Sequence, residues 1–362
     1  MARFVTFGEA LLRLSPPGML RLQQAIPGQL EITLAGAEAN VAGSLAMLGA
    51  EARYVTALPE GTLGDTLTAA LRARSIDTNH IVRSGQGRLG LVFVENGANQ
   101  RPSRVVYDRE GTTISLTPAN HYDWQAIFSG VDWLHITGIT PSLSQCAAEV
   151  TLEAVRQAKT GGISVSCDLN FRSKLWRWDA ERSTRQLANE IMSTILPHVD
   201  LLIANETDCG DVLDIHADTD VGDDRPSAEA YPDLARRVAS RFSNIQRIAI
   251  TLRESLSASH NNWSGMLYDV PTDQAYFAPQ QQGVCRSYEI RHLVDRVGAG
   301  DAFAAGLLFA LTEEKYSRRE DAIAFAVAAS CLAHSVVGDM NFSSLEEIEM
   351  LLSGSGSGRV VR

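Results

Sequence analysis

The chain has 362 residues, 45% hydrophobic and 7% aromatic, a composition that suits a globular protein with a large buried core. That length admits two average domains or one large α/β domain with an appendage. A formal net charge of −11 argues against nucleic acid or an anionic membrane surface as a partner, while leaving room for a local basic pocket.

In chain order, residues 3–7 (Arg-Phe-Val-Thr-Phe) form a first strand that ends in Gly8-Glu9. Residues 10–35 contain Pro16-Pro-Gly18 and Pro27-Gly28, lack a helical period, and predict short strands and turns. Gly36 can turn, and Val41, Leu45 and Leu48 then share one helical face that stops at Gly49. Asn40, at the start of that helix, reads on its own as a satisfied core amide. Residues 52–58 are another strand, and Gly64-Asp65 opens an amphipathic helix through Arg74, with Asp65 a candidate cap. Two β-rich runs, 89–95 and 104–107, flank a polar turn at 96–100. From residue 133 the alternation is regular: strands 133–136, 163–168, 201–204 and 248–252 are separated by helices near 146–159, 184–196 and 231–241. Such βα repetition with strongly apolar strands predicts a parallel sheet covered on both faces. The acidic stretch 214–228 reads as an exposed loop, and 353–362, rich in Gly and Ser, as a flexible tail.

The five cysteines (146, 167, 209, 285, 331) are scattered and show no Cys-x-x-Cys pair. They predict reduced apolar residues of a cytoplasmic protein, not a disulfide or zinc framework. No secretory leader is read before Arg3, and the apolar run 322–333 is too short for a bilayer and suits a buried helix.

The stretch that organises the chain is Asp295-Arg-Val-Gly-Ala-Gly-Asp-Ala-Phe-Ala-Ala-Gly306. It predicts a strand at 290–294, a glycine turn, and a buried helix over 302–311. Gly298 and Gly300 free the backbone to bring consecutive N–H groups close to a ligand, and a helix N-terminus suits a phosphate. Asp301 in the same turn repels a phosphate unless it takes a proton from whatever attacks that phosphate. Spacing alone leaves a structural cap and a catalytic base both open. No Gly-x-x-x-x-Gly-Lys-Ser/Thr pattern occurs, which excludes a P-loop enzyme, and no strand-linked Gly-x-Gly-x-x-Gly opens the chain for a dinucleotide.

Two other polar runs follow strands, at the carboxyl edge where open α/β sheets bind ligands. Asn205-Glu-Thr-Asp208 reads either as a polar helix start or as a metal-organising element. Asp168-Leu-Asn-Phe-Arg-Ser-Lys-Leu-Trp176 reads either as solvated charge or as an element that brings Arg172 to a ligand.

Residues 295–306 resemble the C-terminal signature of the ribokinase-like (PfkB) carbohydrate kinases, in which Gly298, Ala299, Gly300 and Asp301 would supply an anion hole and a base. Residues 34–49 resemble that family's N-terminal signature, which implies sugar contacts for Gly36 and Asn40. Gly64-Asp65 would border the substrate too. The runs 168–176 and Val106-Tyr-Asp-Arg-Glu-Gly111 resemble the 2-keto-3-deoxygluconate kinase branch, which implies that Tyr107, Arg109 and Arg172 bind a sugar acid. Two arginines in one pocket of an acidic protein make physical sense for an anion, since a guanidinium pairs a carboxylate bidentately. Asn205 and Asp208 resemble the family's Asn-x-x-Glu magnesium element, with Asp208 shorter than the usual Glu. Residues 251–260 resemble the nucleotide-side loop, implying contacts from Thr251, Arg253 and Ser255, with Arg253 in place of a glycine. His334-Ser-Val-Val-Gly-Asp-Met-Asn341 resembles the closing loop beside the adenine, implying Gly338 and Asn341. Arg296 stands where the signature often has Thr.

The resemblance implies a parallel-sheet α/β domain (1–9, 36–85 and 117–352) with a small β lid (10–35 and 86–116). It further implies an ATP- and magnesium-dependent kinase of a small sugar acid, room for a monovalent cation, and a homo-oligomer formed through the lid. The alternatives are a kinase of a neutral sugar such as fructose or ribose, or a catalytically silent sugar-binding protein of the same fold.

Overall fold

The computed structural model describes residues 2–216 and 230–354, so the acidic stretch 217–228 and the tail from 355 lie outside the described residues. Its main sheet has nine strands. From one edge the order is Gln274–Ala278, His260–Asp269, Arg247–Ser257, Leu201–Ala204, Ser164–Asp168, Trp133–Thr137, Arg3–Phe7 and Glu51–Val55, with Tyr288–Ile290 pairing on His260–Asp269. The six strands from Arg247–Ser257 to Glu51–Val55 are parallel. The other three are antiparallel.

Alternation explains why the central strands are apolar throughout. In Leu201–Ala204, Leu201 and Ile203 pack with Phe303, Leu307, Ile323 and Val327 on one face. Leu202 and Ala204 pack with Val150, Leu187, Met192 and Leu234 on the other. Every residue of this strand is therefore buried, as expected where helices cover both faces. On the first face Ala299–Thr312 packs against Arg319–Ala333 closely enough that a Cβ at Gly306 would meet Ala329 Cβ at 3.0 Å.

A second sheet of four strands, ordered Glu31–Ala35, Leu11–Ser15, Gly90–Glu95 and Arg104–Asp108, covers the carboxyl ends of the parallel strands. Leu11, Val92, Val94, Val105 and Tyr107 line the cavity beneath it. This is the lid expected from the two β-rich stretches.

Three local expectations need correction. No strand forms over 290–294; the strand is Tyr288–Ile290, and the chain is irregular from there to the glycine turn. The Leu293 and Val294 N–H groups donate to the Ser259 and His334 carbonyls instead of a neighbouring strand, and Asp295 Oδ1 then accepts the N–H groups of Arg296 (2.8 Å) and Val297 (3.1 Å) at the glycine turn. The strand at 248–252 runs on to Ser257 and turns back as a hairpin through His260–Asp269, so 253–257 is not a loop. Asp65 caps nothing: the helix is Thr62–Arg72 with Gly61 before it, and Asp65 sits on its exposed side, ion-paired with Arg83 at 2.6 Å.

Candidate active site

The cavity between lid and sheet has a volume of about 620 Å³. Three helix N-termini line it, two of them at glycines. The Ala299–Thr312 helix starts at Gly298, whose φ of 85° is left-handed and whose Cβ would lie 1.8 Å from the Asp339 carbonyl oxygen. Only glycine fits there. Its first intrahelical bond runs from the Ala302 N–H to the Gly298 carbonyl at 2.8 Å, so the N–H groups of Ala299, Gly300 and Asp301 are left without helical acceptors. A Cβ added at Gly300 would meet nothing within 4 Å, so the space over this residue is open to a ligand. Three free donors at a positive dipole end are suited to an anion.

Asp301, the third residue of that helix, is buried, and Asn40 Nδ2 donates to its Oδ2 at 2.7 Å. Burial pushes its pKa up to about 7; the Asn40 hydrogen bond opposes this, the Asp339 and Glu38 charges add to it, and Arg172 opposes it. A carboxylate poised near neutrality has the proton affinity a general base needs. It also serves as no cap, since the helix start has no side-chain capping bond.

The second N-terminus belongs to Ala37–Met47 and starts at Gly36, with φ 134° and a Cβ position 2.2 Å from the Glu9 carbonyl oxygen. Gly36 and Asn40 line the cavity. Glu38 does not. It is buried on the sheet side, where its Oε1 accepts from Thr137 (2.7 Å) and Thr140 (3.0 Å), and burial raises its pKa.

Asp168, Asn205 and Asp208 stand at the carboxyl ends of neighbouring strands and line the cavity. Asn205 and Asp208 form a reciprocal capping box, and Asp208 Oδ1 also accepts the Phe171 N–H at 3.2 Å. Burial, then the charges of Asp208 and Asp301, holds Asp168 well above the usual carboxylate range. Among the described residues no cluster of His, Cys, Asp and Glu could hold a metal ion directly. This donor set fits a magnesium ion carried on nucleotide phosphates and touched through water, and the excess of carboxylate would be relieved by such a charge.

The two arginines expected to bind the sugar acid differ. Both line the cavity. Arg109, however, is buried in an ion pair with Glu9, so its charge is already matched. Arg172 is exposed; its Nη1 donates to the Phe171 carbonyl, and it makes no ion pair among the described residues. Arg253 and Arg296, two of the three departures from the family pattern, also line the cavity without a carboxylate partner among the described residues. Thr251 lines the cavity at the same end. Ser255, Gly338 and Asn341 do not: Ser255 is an exposed hairpin residue paired with Asn261, the Gly338 N–H donates to Asp295, and Asn341 Oδ1 accepts the Ser343 N–H. Gly64 and Asp65 lie outside the cavity as well. Sequence reasoning assigned no role to Asp339 and His334, which line the cavity from within the run 334–341 read as the closing loop, nor to Glu9, Arg13 and Glu38 just behind the lining. For the last three, only ionisable character in apolar surroundings marked them in advance.

The cavity brings together the three N–H groups of a helix start, the buried Asp301 carboxylate and the four-stranded sheet, on a mostly parallel α/β sheet. Residues 1–232 and 271–346 match the pfkB family of carbohydrate kinases, and the chain belongs to that family. It is a carbohydrate kinase. The crystal structure of 2-dehydro-3-deoxygluconokinase from Thermotoga maritima is 41% identical, with a TM-score of 0.87 over 98% of this chain and 100% of that one. The 2-dehydro-3-deoxygalactonokinase of Haloferax volcanii is 29% identical across 99% of this chain and 98% of its own length. Fructokinase-1 of rice, Oryza sativa subsp. japonica, is 26% identical over 96% of each.

Proposed function

We propose that the protein transfers the γ-phosphoryl group of ATP to the terminal hydroxyl of 2-dehydro-3-deoxygluconate, or of its galactonate epimer, to give the 6-phosphate. Asp301 takes the proton from that hydroxyl, and the N–H groups of Ala299, Gly300 and Asp301 stabilise the charge on the phosphoryl in flight. Magnesium, bound to the nucleotide, supplies neutralising charge, and Asn205 and Asp208 are the residues that would hold it through water. Arg172 pairs with the carboxylate of the sugar acid, with Gly36, Asn40 and Tyr107 against the rest of the sugar. Arg109 shapes the same wall but is neutralised by Glu9, so the anion preference falls mainly on Arg172. Thr251, Arg253 and Arg296 face the nucleotide end. Closure of the lid excludes water and limits wasteful hydrolysis of ATP.

The observation that carries this reading is the buried Asp301 carboxylate, whose one hydrogen-bond partner among the described side chains is Asn40, beside three N–H groups without helical acceptors. The names of the T. maritima and H. volcanii relatives support the choice of acid, and the rice fructokinase supports a neutral sugar as the competing substrate. Release of ADP, measured with magnesium across a panel of sugar acids and neutral sugars, decides between them. Turnover confined to 2-keto-3-deoxy acids supports the acid; turnover on fructose or ribose removes it and keeps Asp301. Arg172→Ala should raise KM for the acid roughly 10- to 100-fold, and an unchanged KM would remove the arginine from the account.

The reaction belongs in the cytoplasm, where ATP is available and five unpaired cysteines stay reduced. By strand register, Ile32, Leu14, Phe93 and Val106 lie side by side on the lid face turned away from the cavity, with Ile32 61% and Val106 52% exposed. A second copy of the chain is the occupant we assign to this stripe. Phe93→Glu should shift the protein to monomer in sedimentation.

A further inference from the structure

Arg13 lies on the lid strand Leu11–Ser15, yet it is one of the most deeply buried side chains of the molecule, 2% exposed. All three of its side-chain nitrogens are engaged. Nη1 donates to Asp339 Oδ1 at 2.6 Å, Nη2 to Asp295 Oδ2 at 2.7 Å and to Asn96 Oδ1 at 3.5 Å, and Nε to Ser15 Oγ at 2.9 Å. Burial works against the charge, and Asp339 and Asp295 outweigh it, so the guanidinium stays protonated. The two carboxylates it joins sit on either side of the glycine turn. Asp295 accepts the N–H groups of Arg296 and Val297 through Oδ1, and that of Gly338 through Oδ2 at 3.3 Å. Asp339 presses its carbonyl oxygen against the α-carbon of Gly298, where even a Cβ would overlap it. One fixed cation therefore meets a lid strand, the approach to the anion hole and the loop that closes over Gly298.

We propose that Arg13 is a positioning residue for phosphoryl transfer: by bridging Asp295 and Asp339 it fixes the 295–298 turn, and so aims the three free N–H groups of the Ala299–Thr312 helix. This rests on the reading of 298–301 as the anion hole. Without the bridge, two buried carboxylates repel each other across the turn and Asp295 loses the partner that orients its grip on Arg296 and Val297. A misplacement of the donors of about 1 Å costs turnover on the order of 100-fold. Sugar binding changes little, because Tyr107 and Arg172, assigned to the sugar, make no hydrogen bond or ion pair with Arg13 or its two carboxylates among the described residues, and Asn40 is tied to the bridge only through Asp339. The bridge also ties the lid strand Leu11–Ser15 to the body of the molecule.

The test is the Arg13→Met variant, assayed for kcat and sugar KM with and without guanidinium ion below denaturing concentration, beside amide hydrogen exchange at Arg296, Val297 and Gly338. Expected are a kcat loss of about 100-fold, a sugar KM within about twofold, faster exchange at those three amides, and partial recovery of kcat by guanidinium. Should that variant fail to fold, Arg13→Lys retains the charge but reaches only one carboxylate, and a kcat loss of about tenfold with unchanged KM is expected. Wild-type kcat and wild-type exchange in either folded variant would overturn the proposal, and so would a loss confined to KM. Failure of the anion-hole reading looks different: Gly300→Ala would then leave KM for ATP unchanged, while the exchange result at residues 296, 297 and 338 needs no turnover at all.

Discussion

Two helices enter the cavity by the same device and differ in what they leave free. Both start at a glycine with positive φ that no other residue could occupy, and both carry an acid in the first turn. At the Ala37–Met47 start that acid, Glu38, is turned away from the cavity and accepts two threonine hydroxyls, Thr137 and Thr140. At the Ala299–Thr312 start the acid, Asp301, faces the cavity and has one side-chain partner, the amide of Asn40 from the other helix. Placement decides role here. An acid turned to the sheet and held there by two hydroxyls fixes a helix in place, whereas an acid facing the cavity beside open N–H groups is placed to exchange a proton.

That contrast breaks most directly at the two acids. Asp301→Asn should lower kcat about 10³-fold while sugar binding, followed by calorimetry, changes little. The same substitution has a stability signature with a definite sign. The folded pKa of Asp301, about 7, lies above its unfolded value of 3.8, so folding favours the protonated form, and wild-type stability falls as pH rises between those values. Above pH 7 the Asn variant should melt higher than wild type, and below pH 4 the difference should vanish.

The two glycine starts separate function from stability. Gly300→Ala places a methyl in the open space over the anion hole, so KM for ATP should rise roughly 10- to 100-fold with an unchanged melting temperature. Gly36→Ala drives a Cβ into the Glu9 carbonyl at a left-handed φ, and should cost about 3 kcal/mol in denaturant unfolding.

Smaller effects sharpen the link between the helices. Asn40→Ala removes a hydrogen bond that lowers the Asp301 pKa, so the inflection of kcat/KM should move to higher pH and activity at pH 7 should drop roughly tenfold. Glu38→Gln keeps an acceptor for both threonines and should change kcat/KM by no more than about threefold.

Much of this site was legible in the sequence because its parts are local. Gly298 to Asp301 is one turn, Gly36 and Asn40 share another, and Asn205 with Asp208 a third, so a short window contains each group and its backbone. The parallel sheet was legible for the same reason, since each βα unit announces itself in an apolar strand followed by a helical period. What stayed hidden depends on distance along the chain. Arg13 meets Asp339 across 326 positions, and Arg109 meets Glu9 across 100. No window reveals that Arg109 arrives already neutralised, which is why the two arginines read alike in sequence and differ in the structure. The strand expected at 290–294 failed for the same reason: the Leu293 and Val294 N–H groups go to the distant Ser259 and His334 carbonyls, which a count of apolar residues does not register.

The central claim is that Asp301 is the base, and the pH dependence of kcat/KM tests it most directly. With ATP, magnesium and 2-dehydro-3-deoxygluconate, the wild-type profile should rise with pH and level off above an inflection at about 7, as the carboxylate loses its proton. The residual activity of Asp301→Asn should show no such inflection. A variant that keeps both the turnover and the inflection of the wild type would contradict the account and move the base elsewhere in the cavity.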